Sequence, residues 1–170
     1  MADTTFVDGS TLTAADWFND VNRLHYTIFG DPATLATAKD ALFPAWTTPS
    51  FSAGDFTASG SMTWTVAAGD VTTYAYIVNG KMMTVMFSIV TSTVGGTPST
   101  ALRIAIPASK TATKQTANPC YIVDANTATT GFALVSASGT TIGISRTDGA
   151  NFGASTNQTN LEGQITFEIN

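Results

Sequence analysis

From Gly60 to the C-terminus, apolar and polar residues alternate with a period of two, in short runs broken by turn residues. That pattern restricts the chain more than any other feature. A period of two places one set of side chains on one face of a pleated strand and the other set on the opposite face. In Ser61-Met-Thr-Trp-Thr-Val66, the residues Met62, Trp64 and Val66 alternate with Ser and Thr. A strand over residues 71–78 carries Tyr74 and Tyr76 on one face, and Asn79-Gly80 is a strong hairpin signal. The returning run puts Met83, Val85, Phe87 and Ile89 on one side and Met82, Thr84, Met86 and Ser88 on the other. Leu102, Ile104 and Ile106 alternate next, followed by a short strand at 120–123. A hairpin spans 132–146 with its turn near Ser138-Gly139, and a closing strand points Ile165, Phe167 and Ile169 inward. About eight strands over roughly 110 residues, separated by turns, predict an antiparallel β-sandwich of jelly-roll or immunoglobulin type. There is no Cys–Trp–Cys spacing to support a true immunoglobulin domain. The predicted class is therefore mainly β, a jelly-roll-like sandwich preceded by an α-helical segment.

The N-terminal region has a different period. Thr13 is a plausible N-cap with Asp16 three residues on, and Asp16 and Asp20 favour the positive end of a helix dipole. Trp17, Val21, Leu24 and Ile28 then recur at steps of four, three and four, a heptad seam, with Phe18 and Phe29 beside it. Gly30-Asp31-Pro32 ends the helix, and a weaker helical pattern follows through Leu42. A helix this short is marginal alone in water, so its Trp and aliphatics need cover. Self-association or insertion into a larger assembly is the favoured reading; folding back onto the β body is the other. Trp17, Phe18, Val21, Leu24 and Ile28 are the candidate docking residues. Between the two patterns, 44–59 holds two prolines within six residues and the aromatics Trp46 and Phe51, with Phe43 just before it. It reads as an aromatic, proline-containing linker. The expected organisation is thus 1–43 helical docking segment, 44–59 linker, 60–170 β domain.

Charge and reactive residues narrow the function. Charged residues make up 11% of the chain, so Thr, Ser, Asn, Gln and Gly must cover most of the surface. The net charge is −5 with no basic run, which argues against a nucleic-acid groove and against binding to anionic lipid. No apolar run approaches a membrane span, and the first residues lack the form of a signal peptide. The single cysteine, Cys120, excludes an intrachain disulfide and reads as a small buried hydrophobe. One cysteine and one histidine (His25, in the helical region) do not make a usual zinc site. Asp55, Asp70, Asp124 and Asp148 are the carboxylates from which a glycosidase pair would be drawn, and Asp124, Asn126 and Asp148 those for calcium. Each lies in a turn context, so turn capping is preferred. No enzyme, metal or cofactor is expected. Phe152, alone in the polar stretch Thr147-Asp-Gly-Ala-Asn-Phe-Gly-Ala-Ser-Thr-Asn157, is the leading candidate for an exposed contact. Tyr74 and Tyr76 are further candidates, although core or intersubunit packing is the favoured reading for one face of their strand.

Asp8-Gly9-x-x-Leu12-Thr13-Ala14-Ala15-Asp16-Trp17-Phe18-Asn19-Asp20-Val21-Asn22 resembles the N-terminal segment of tailed-bacteriophage fibre and attachment proteins. The run Gly60-Ser-Met-Thr-Trp-Thr-Val66, Gly69-Asp70-Val71 and Asn79-Gly80-Lys81 is similar to the β domain of such virion proteins. So are Gly95-Gly96-Thr97-Pro98, Leu102-x-Ile104-x-Ile106-Pro107 and Gly163-Gln164-Ile165-x-Phe167. The resemblance implies a homotrimer on the virion surface, attached by its N-terminal part to other virion proteins and displaying the β part outward. It implies possible partners in tail or capsid and, on the host, a cell-surface glycan. A short fibre or spike is the leading expectation. A capsid-decoration or head-fibre protein without a receptor role, and a carbohydrate-binding module, are the alternatives.

Overall fold

A computed structural model describes residues 44–170, and within it Ala45–Asn170 forms one compact unit. The predicted helix and its candidate docking residues, Trp17, Phe18, Val21, Leu24 and Ile28, lie outside the described residues.

The unit is antiparallel β, as the alternation requires. Its strands are β1 (Phe56–Ala58), β2 (Met62–Thr65), β3 (Val71–Asn79), β4 (Met82–Gly96), β5 (Ala101–Ala105), β6 (Thr116–Asp124), β7 (Thr127–Val135), β8 (Thr141–Arg146) and β9 (Ser155–Glu168). Short 3-10 turns at Ala53–Asp55, Ala68–Asp70 and Pro107–Ser109 complete it. All nine strands belong to one hydrogen-bonded sheet, in the order β1-β5-β8-β7-β6-β9-β4-β2, with β3 also on β4. The sandwich expectation of two separate sheets gives way to a single sheet that nearly closes on itself.

Closure is made by side chains. β1 and β2 end the sheet on opposite sides, yet the turn at 59–61 joins them and brings them together. Across this seam Phe56 meets Trp64 edge-on at 5.5 Å and Tyr74 at 5.8 Å. The Tyr74 hydroxyl donates to the Ala105 carbonyl at 2.7 Å, tying β3 to β5. Edge-to-face aromatic pairs add to the area they bury, so they substitute for the missing ladder.

The length of β4 lets it serve two partners on one edge. Its first part pairs with β3 and its last residues, Thr93 to Gly96, with β2. The register with β9 shifts between Ile89 and Ser92 and again before Val94. Thr91 and Asn157 sit there at positive φ, 54° in both cases. Their cost is offset by stitching: the Thr91 N–H donates to Asn160 Oδ1 at 2.7 Å, and the Asn157 N–H to Thr93 Oγ1 at 3.0 Å. Bulges of this kind bend a strand and increase its twist.

One core fills the interior. Met83, Val85, Phe87 and Ile89 from β4, Leu102 and Ile104 from β5, and Ile165 and Phe167 from β9 are all buried on the face the alternation assigns. Polar atoms inside are paired. The Trp64 indole N–H donates to Ser92 Oγ at 2.9 Å, and Ser92 Oγ donates on to the Thr159 carbonyl at 2.8 Å. Among the described residues no buried side-chain nitrogen or oxygen lacks a partner.

Three local expectations change. The hairpin after β3 pairs Asn79 with Met82, so Gly80 and Lys81 are the central residues, with φ +59° at Gly80. Glycine at the first central position, not Asn-Gly, makes that turn, in the manner of type II′. The strand predicted at 120–123 is longer and begins at Thr116. The proline-containing stretch is part of the β unit, since it contributes β1 and a bridge from Thr47 to Tyr76. Thr47 and Tyr76 exchange two backbone hydrogen bonds of 2.8 and 2.9 Å. Antiparallel alternation then places Pro49 opposite Tyr74, where a residue without an N–H cannot extend the ladder. The segment covers the β3 edge and ends it.

Candidate functional site

Phe152, expected to be an outer contact, is fully buried. The cause is the anchoring of its loop. Arg146, at the end of β8, sends Nη1 to Asp124 Oδ2 at 2.5 Å. Its Nη2 and Nε reach the two oxygens of Asp148 at 2.6 and 3.1 Å, a bidentate clasp. Asp124, itself buried, accepts the Gly153 N–H on both oxygens at 3.0 and 3.1 Å. Asp148 accepts the Ala150 N–H at 3.0 Å, and the Phe152 N–H donates to the Ser99 carbonyl at 2.9 Å. Every turn of the loop is held, so its one large apolar side chain is delivered into the core.

The same contacts assign the acidic candidates. Asp124 and Asp148 flank a guanidinium rather than each other across an open cleft. The Arg146 guanidinium and the Ala150 N–H hold the Asp148 carboxyl down at about 2, and the paired carboxylates raise Arg146. Asp55 and Asp70 lie in 3-10 turns, and Asp70 Oδ2 accepts the Ala67 N–H at 2.8 Å. Asp70 and Asp148 cap their own turns, whereas Asp124 anchors the distant Gly153 and Arg146. Among the described residues no group of three His, Cys, Asp or Glu side chains is placed to hold a metal ion.

Tyr74 is also corrected from outer contact to core. It is buried, and burial first, with the nearby Asp55 charge second, raises its phenol pKa. Tyr76 is half-buried against the same core. Cys120 is buried and its thiol is pushed up to about 11 by burial.

Two outer surfaces stand out, and neither was singled out by sequence reasoning. The first is a groove of about 310 Å³ on the outward face of β5, β8 and β7. Register places Arg103, Gly143 and Leu134 in one row and Ala101, Ser145 and Phe132 in the next. Gly143 and Ser145 in the middle strand leave the depression, and Arg103 and the Phe132 ring wall it. The second surface lies on β3, β4 and β9, where Met82 and Met86 are exposed on either side of Thr84. Thr47 opposite Tyr76 puts the exposed Trp46 beside Ile77 on that same face. The period-two pattern marked Met82 and Met86 as outward, but only the register shows that Trp46 joins them.

No family model, curated protein or solved structure matches this chain.

Proposed function

We propose that this chain is a structural component of a tailed-bacteriophage virion, a short fibre or spike that docks and self-associates through 1–43 and displays its β body. The observation that carries the reading is the division of the chain near residue 44 into a heptad-patterned sequence and a separate compact β unit. The fibre-like motifs at 8–22 and 60–81 support it. So does the poverty of charge, which suits surfaces that meet other protein. The trimer, the docking helix and the place on the virion surface are parts of this same proposal. Its test is imaging of intact particles labelled with an antibody to the β body. Label on the tail supports the fibre, label on the capsid the decoration alternative, and unlabelled particles overturn both.

The groove favours a second reading, contact of the displayed body with a glycan. Sugar faces stack on aromatic rings, and a guanidinium with hydroxyls supplies hydrogen bonds. Phe132 and Arg103 replace Phe152 and Tyr74 as the residues for that role. A glycan array with the full chain tests it: the reading requires a hit that Phe132→Ala removes, and an empty array overturns it.

A further inference from the structure

We propose that the outward face of β3, β4 and β9 packs against a second copy of this chain, leaving the groove on β8 facing out. The inference rests on the self-association proposed above and specifies the surface that performs it in the β body.

Strand order fixes the two surfaces on opposite sides. β8 lies four strands from β4 by way of β7, β6 and β9, and about as far by way of β5 and the β1–β2 seam. A contact made through β4 therefore leaves the β5–β8–β7 groove free. The centre of the face holds Trp46, Ile77, Met82, Thr84, Met86 and Thr166, with no charged side chain. Trp46 is 48% exposed, Met82 44% and Met86 37%. Of the five large apolar side chains exposed among the described residues, three lie here.

The occupant follows from charge. Two chains of net charge −5 repel each other, and a contact surface without charge is the one that adds least to that repulsion. This centre is neutral, and its rim carries both signs, with Lys114 paired to Glu168 at 2.8 Å and Lys81 close enough to lower the Glu168 pKa further. An apolar centre inside a polar rim is the usual anatomy of a protein interface. The chain also enters the β unit along this face, Trp46 being its second residue. Copies joined through 1–43 would hold their β bodies at high effective concentration.

The test uses the full chain carrying Thr84→Cys, with Ser145→Cys in the groove as the control. A short bis-maleimide then probes which surface meets its counterpart, and Cys120 stays silent because it is buried. Light scattering gives the mass. The expected result is a mass several times 17.7 kDa, with covalent dimer at least five-fold more abundant for Thr84→Cys than for Ser145→Cys. Met86→Lys, at a position 37% exposed, is expected to leave the urea unfolding of the separate chain cooperative and to weaken assembly at least ten-fold. An assembled chain that cross-links only through Ser145→Cys, or that ignores Met86→Lys, overturns this face and leaves self-association standing. A monomer at micromolar concentration overturns both.

Discussion

Two polar stretches of this chain each carry aromatic residues, and they treat them oppositely. In the 147–154 loop Phe152 is fully buried, whereas in the 44–55 stretch Trp46 and Phe51 are 48% and 43% exposed. The difference lies in the backbone. The first loop is fastened at Ala150 by the clasped Asp148 carboxylate, at Phe152 by the Ser99 carbonyl of the β4–β5 connection, and at Gly153 by the buried Asp124 carboxylate. The second is fastened by the single Thr47–Tyr76 bridge, and prolines bound its ladder. Ordering a loop costs conformational entropy, and only a loop whose polar groups find partners can place an aromatic inside. The comparison shows that exposure of a lone aromatic is a property of its loop's anchors and not of the composition around it.

Removing the buried ring should cost most. Phe152→Ala is expected to destabilise the fold by about 3–5 kcal/mol, as truncation of a buried Phe does. Urea denaturation measures it, and a loss under about 1 kcal/mol would break the comparison at its base. Next comes the anchor. Asp124→Ala strands the Gly153 N–H and one arm of Arg146, and should cost about 3 kcal/mol. If the loop were held by Phe152 packing alone, this substitution would be nearly silent in the same experiment.

Acid should loosen the fastened loop. Asp148 is held at about 2 in the folded chain, below the ordinary carboxylate value of roughly 3.9. A depressed folded value means its stabilisation is present above about pH 4 and is lost as pH falls toward 2. Asp148→Asn should flatten the stability profile across that window, with a small amplitude because the side chain is about half exposed. A profile that keeps its slope would place the acid response elsewhere. The smallest effect is expected at the exposed aromatic. Trp46→Ala should change unfolding of the separate chain by no more than about 0.5 kcal/mol. A larger loss at every protein concentration would mean that Trp46 is anchored after all, while a loss seen only in concentrated samples would report contact between copies.

Strand placement was legible because a period of two is a local property. The inward set of β4 and the final triad Ile165, Phe167 and Ile169 are buried as the alternation requires. The β6–β7 turn was not legible. Ala125 and Asn126 both take positive φ there, at 47° and 64°, and alanine gives no hint of it. That conformation is held by neighbours distant in sequence, such as the Gln158 carbonyl that accepts the Asn126 N–H at 3.1 Å. The candidate contacts failed for a related reason. Tyr74 was recognised as a strand residue, but whether its face met core or water depended on a seam of Phe56 and Trp64 that local pattern does not reveal.

Local pattern was enough to make residues beyond 60 antiparallel β, to sort the side chains of each strand into two faces, and to leave charge scarce on the surface. These follow from pleat geometry and composition, which need no knowledge of neighbours. Long-range pairing joined the strands into one nearly closed sheet, gave Asp124 and Asp148 a shared Arg146, and set Trp46 beside Ile77 near Met82 and Met86. Those outcomes depend on register between segments far apart in the chain, and register is set by the sum of long-range contacts rather than by any one stretch.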